Sequence, residues 1–200
     1  MTPLFSTAYF PPIAYVAALL QHPEVFIETK ETFPKQTYRN RMEIMTAGGI
    51  RTLTVPVLRH NHSRTEEVGI DYRERWNVIH LRTIEAAYSA SPYYLYYKDD
   101  LEALLMPCYQ KLIDLNERVQ KWILQRLKAD CRLLRTEDYH KEYELDFRST
   151  FSPKRPHSTE GYHQYYQVFS DRLPFIPNLS ILDLLMNLGP EARTYLIEVT

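Results

Sequence analysis

Proline at positions 11, 12 and 23 leaves the opening of this chain few ways to fold. Pro11-Pro12 precede an apolar, helix-compatible run at 13–21, and His22-Pro23 close it. A helix tolerates proline in its first turn, where no backbone donor is required, and the residue before a proline is pushed out of helical geometry. Residues 4–8 before this bracket, and 24–29 after it with Val25 and Ile27 on one side, read as strands. Two strands joined by one short helix imply a parallel pair with a right-handed crossover. The expected class is α/β: a mixed sheet with this strand–helix–strand unit, a hairpin and packed helices.

The hairpin is expected at 42–58, turning at Ala47-Gly48-Gly49-Ile50, where Gly-Gly supplies the positive φ that tight turns need. Met42 and Ile44 share one side of its first arm, which turns Arg41 and Glu43 away. Pro56 marks the second arm, 51–58, as an edge or a bulge. Trp76, Ile79, His80, Ile84 and Ala87 recur at helical spacing within 73–89. So do Leu112, Leu115, Val119, Trp122, Ile123 and Leu127 within 109–128. A short helix with acids in its first turn is expected at 99–105, and a strand at 131–135. Ser180 and Asp183 make a capping-box-like start for a last helix, which Gly189-Pro190 end.

Residues 137–156 lack a period but hold Tyr139, Tyr143, Phe147 and Phe151, which favour an ordered flap. Residues 162–169 read as one short helix or strand. The 200 residues are expected to form one domain, with an α/β core at 1–136 completed by the flap and helical segment at 137–200.

A formal net charge of -1 gives no global pull toward nucleic acid or an anionic membrane. Two cysteines, Cys108 and Cys131, make no disulfide framework and no metal cluster. His60-Asn61-His62 reads as surface loop, so no metal site is expected. No Gly-rich phosphate loop follows the first strand, and nothing in the chain names a cofactor or an oligomeric state. With no apolar run long enough to span a membrane and no leader pattern, a cytoplasmic protein is expected.

Within that balance, residues 35–41 hold three cations and no acid. Lys35, Arg39 and Arg41, with Tyr38 and Asn40 beside them, suit a phosphate or carboxylate: arginine grips two oxygens, lysine acts as a point charge. Tyr9 follows the first strand, where ligands gather in α/β sheets. Arg148 and Lys154 would arrive from the flap, with Arg155 beside them. His80 and Asp146 are the candidate proton carriers, although a histidine on such a helix face is most often satisfied within the core. The expected partner is an anionic small molecule, such as a nucleotide-sugar or acyl donor. The alternative is a non-catalytic RNA- or protein-binding module, its cations on phosphates and its tyrosines stacked on bases.

Several stretches, in order along nearly the whole chain, resemble the WbqC-like family. They are residues 6–13 around Tyr9-Phe10-Pro11-Pro12, 35–41, Leu53-Thr54-Val55-Pro56, Ser91-Pro92-Tyr93-Tyr94, Asp146-Phe147-Arg148, Ser152-Pro153-Lys154, Tyr166-Gln167-Val168-Phe169 and 177–185. Many members carry Gln-Pro before the tyrosine; here Thr7-Ala8 stand there, as in the shorter branch typical of Bacteroides-type bacteria. The resemblance implies a bacterial protein linked to surface-polysaccharide (O-antigen) biosynthesis, transferring an acyl or aminoacyl group to an activated sugar. It transfers no catalytic residue.

Overall fold

The computed structural model describes residues 1–154 and 160–199, so Arg155 lies outside the described residues. The fold is α/β. Strand β1 (Leu4–Ser6), helix α1 (Ile13–Leu19) and strand β2 (Glu24–Glu28) form the expected crossover, with Leu4 opposite Phe26 in a parallel pair. Between β1 and α1 the chain turns sharply: Phe10, fully buried, holds φ 39°, a conformation unusual for a residue with a Cβ.

The hairpin comprises β3 (Arg41–Thr46) and β4 (Gly49–Thr54). Met42 and Ile44 are fully buried and Arg41 and Glu43 only half so, as the alternation requires. Of the two turn glycines only Gly49 has positive φ, at 96°, so one glycine meets the backbone demand, not both. Pro56 ends the second arm instead of bulging it. Beyond it β5 (Val57–Leu58) pairs with β6 (Gly69–Ile70) across the loop.

Helix α2 (Trp76–Tyr88) packs on the hairpin. Helix α3 (Tyr94–Leu104) starts five residues before the expected Asp99, directly after Ser91-Pro92. Its buried stripe is Tyr94, Tyr97, Leu101 and Leu104, a helical period in which tyrosines stand where aliphatics usually do. Asp99 and Asp100 therefore lie mid-helix, and Asp100 accepts a 2.8 Å bond from the Trp122 indole. Helix α4 (Leu112–Arg126) buries the expected stripe, and β7 (Arg132–Arg135) joins β2 in parallel to complete the order β1-β2-β7.

The flap lies on the free edge of β1. Leu4 donates to the Leu145 carbonyl at 2.9 Å and accepts from Phe147 N at 2.8 Å, while Phe147 stacks on Phe5 at 4.8 Å. Residues 162–169 form neither helix nor strand. They are held by side chains: the Tyr165 hydroxyl and Gln167 amide donate to Asp183 at 2.6 and 3.0 Å.

The chain then enters α5 (Ile181–Leu188) and α6 (Ala192–Glu198). Ser180 caps α5 through Leu182 N, but Asp183 closes no capping box. Its carboxylate turns into the core, where Tyr88 is a third donor at 2.8 Å. Burial pushes that carboxyl above its usual range. Gly189 ends α5 at φ 53°, and a Cβ there would run into the Tyr93 ring.

Segment 177–181 also secures the start of α1. Pro12 has no side chain to cap that helix, so Asn178 supplies the acceptor for Ala14 N at 2.8 Å. Ile13 N and Ile181 N complete the seam by donating to the Leu179 and Pro11 carbonyls.

Candidate functional site

The three parallel strands end together and deliver Thr7, Glu28 and Thr136 to one edge of the sheet. Side chains from distant segments meet there. Glu28 is fully buried: its Oε1 accepts from Lys30 N, Glu31 N and the Thr136 hydroxyl at 2.7, 3.2 and 3.0 Å. Its Oε2 accepts from Arg148 at 3.3 Å. Arg148 also clasps Asp146 at 2.6 Å, donates to the His140 and Lys141 carbonyls and lies over the Tyr139 ring at 5.3 Å. The guanidinium holds the Asp146 carboxyl below its usual range.

Arg39, 4 % exposed, binds Glu31 at 2.6 Å and reaches the Arg148 carbonyl at 3.3 Å. Burial still raises the Glu31 carboxyl, with Arg39 opposing that shift. Asn116 on α4 ties this edge to Thr7 and to the Arg39 carbonyl.

Next to this network, and sharing Thr136 with it, lies an open groove of about 580 Å³. Phe26 and Leu134, opposite each other on β2 and β7, are its floor; Tyr143 and His140 come from the flap, and Arg135, Thr136, Glu137 and Asp138 from the end of β7. A small crevice on the other side of β7 shares Leu134 and Arg135 and reaches Thr7 and Gln120. Arg135 thus stands at the lip of both hollows, held by Asp114 at 2.8 Å and by Glu117. These are exposed ion pairs, a class worth about 0–1 kcal/mol, so an incoming anion can recruit the guanidinium.

The residues singled out in the sequence divide by location. Arg39 and Arg148 come together, and Asp146 with them, but three carboxylates face those two guanidiniums. Lys35 and Lys154 are exposed. Arg41 is half-buried, and its Nε has no hydrogen-bond partner. Tyr38 is buried and donates to Glu43 at 2.8 Å; Asn40 donates to the Val55 carbonyl at 2.9 Å.

Tyr9 and His80 meet in the core, with the Tyr9 hydroxyl 2.9 Å from His80 Nδ1. Burial pushes the imidazole down to about 4 and raises the Tyr9 phenol. The Thr54 backbone opposes the histidine shift. His60 and His62 are exposed, and among the described residues no group of three or more His, Cys, Asp or Glu is placed to hold a metal.

Sequence reasoning missed Glu28, Glu31, Arg135 and Thr136. The available signal was positional: Glu28 ends a strand pattern whose other inward residues are apolar, and Arg135-Thr136 end the strand that pairs with it.

The architecture defines an α/β protein with a polar, charge-lined hollow at the carboxyl ends of a short parallel sheet. The chain belongs to the WbqC-like protein family, whose model matches residues 7–155 and 154–195. An uncharacterized protein of Mycobacterium tuberculosis, Rv1507c, is 29% identical to it over 225 aligned positions, covering 94% of this chain and 91% of that protein. No solved structure matches the chain. Among the described residues no helix is long and apolar enough to cross a membrane.

Proposed function

We propose that this WbqC-like protein is an enzyme that binds an anionic small molecule, an activated sugar, in the groove over Phe26 and Leu134, and transfers an acyl or aminoacyl group to it. The observation that carries this reading is the meeting of an open groove of about 580 Å³ with a buried, hydrogen-bonded charge network at the carboxyl edge of parallel strands. Ligands of α/β sheets collect at that edge, and a groove of this size suits a small molecule.

The roles follow from what each side chain offers. Phe26, Leu134 and Tyr143 present apolar and aromatic surface to a sugar or base ring. Arg135 meets the phosphate or carboxylate, and Glu137 and Asp138 accept hydrogen bonds from hydroxyls. His140 is the imidazole at the groove and its proton carrier. Arg148, Glu28 and Asp146 hold the flap against the sheet and so position His140 and Tyr143. In this reading His80 is a core residue that orients Tyr9.

The test is calorimetric titration with nucleoside-diphosphate sugars and with the parent nucleotides. Saturable binding to wild type should weaken at least about tenfold in Arg135→Ala, the loss expected when one charge-assisted hydrogen bond is removed. Binding unchanged in Arg135→Ala, or absent for every activated sugar, removes the reading. Tight, steeply salt-dependent binding of short RNA would instead favour the non-catalytic module.

A further inference from the structure

A second hollow, of about 330 Å³, lies between the β3–β4 turn and helix α2. Its charged lining residues are Arg51 of β4 and Arg82 of α2, and no acid lines it. Both arginines are exposed, and neither makes an ion pair among the described residues. This contrasts with Arg39, Arg135 and Arg148, each clasped by carboxylates. Glu85, one helical turn beyond Arg82, is drawn toward Lys98 at 3.8 Å. The remaining surface is small or neutral: Gly48 and Ala86 leave room, and an added Cβ at Gly48 would meet nothing within 4 Å. The Thr46 and Thr83 hydroxyls are already committed as donors to the Gly49 and Ile79 carbonyls. The guanidiniums are therefore the side-chain donors left to face a ligand.

Two like charges brought to one hollow repel unless an anion lies between them, and two planar guanidiniums match the several oxygens of one oxyanion. We propose that this hollow is an anion-binding site, gripping the phosphate or carboxylate group of a small molecule between Arg51 and Arg82. It shares no lining residue with the carboxyl-edge groove. The site also communicates with the core. The positive charge of Arg51 is the smallest of the three influences on His80 and opposes its protonation, so an anion that neutralises Arg51 should be felt weakly at the Tyr9–His80 pair.

The test is an amide and histidine-ring NMR titration of the full chain at constant ionic strength, with inorganic phosphate, pyrophosphate and succinate as separate probes. Saturable shifts are expected at Gly48, Gly49 and His80, and the stronger of pyrophosphate and succinate tells phosphate from carboxylate preference. Arg51→Gln and Arg82→Gln should each weaken binding about tenfold or more, with melting temperature unchanged because both side chains are exposed. Ala86→Glu, which sets a carboxylate in the hollow, should abolish binding. Shifts that never saturate, that persist in all three variants, or that centre on Thr136 and His140 would overturn the proposal. Those last shifts would belong to the carboxyl-edge groove, whose own test is Arg135→Ala.

Discussion

Removing Arg148 should destabilise the protein far more than removing any exposed cation. Glu28 is fully buried, and Arg148 is the partner of its Oε2. Breaking a buried pair on one side costs about 3–5 kcal/mol, because a carboxylate stays in the core uncompensated. The lower end applies here, since Oε1 keeps the Lys30 and Glu31 amides and the Thr136 hydroxyl. A loss of about 3 kcal/mol in a chain of this size lowers Tm by roughly 6–12 °C. In urea at pH 7 the midpoint of Arg148→Ala should fall with the slope m unchanged. The Glu28→Gln/Arg148→Met double variant removes both charges of this pair and should recover about 2 kcal/mol of that loss. If Arg148→Ala costs under about 1 kcal/mol, or the two sites prove additive, Glu28 is solvated and the network is not a structural wall.

Other expectations follow from the same geometry. Burial depresses His80 to about 4, below its ordinary value, so its contribution is complete above about pH 6.5 and is lost as pH falls through about 4. That contribution is worth about 3 kcal/mol, and the wild type should lose that much more stability than His80→Gln between pH 7 and pH 4. Trp122→Ala opens a cavity in the α4 stripe and removes the indole bond to Asp100, which keeps Arg126, costing roughly 3–5 kcal/mol in chemical denaturation. Arg41→Ala removes a side chain whose Nε bonds nothing and should leave Tm within about 2 °C. Asp183→Leu strands the Tyr88 and Tyr165 hydroxyls, at about 1–3 kcal/mol for each buried donor, while the Gln167 amide keeps the Ile176 carbonyl at 2.9 Å. Limited proteolysis should then cut within residues 160–176 faster than in wild type.

The regular elements were legible because local rules decide them. Pro11-Pro12 and His22-Pro23 bracket α1, alternation set the faces of β3, and helical spacing marked α2 and α4. The misjudged helix start at Tyr94 shows the limit: a tyrosine-rich run looks like a connector until one knows that one face of it is buried in every turn. Asp183 shows another, since a carboxylate three residues after a serine suits a local cap but was drawn inward by Tyr88 and Tyr165, far away in the chain. The site was half legible. The convergence of Arg39 with Arg148 follows the basic runs, but their neutralisation by Glu28, Glu31 and Asp146 depends on which strand ends meet. No spacing rule encodes that. Arg51 and Arg82 escaped notice because neither lies in a basic run.

The most direct measurement is a crystal structure of the protein grown with a nucleoside-diphosphate sugar. Ring density should rest on Phe26 and Leu134, with the charged end against Arg135 and the flap residues His140 and Tyr143 closed beside it. Density at a different surface, or only ordered solvent over Phe26 under saturating ligand, would contradict the proposed function.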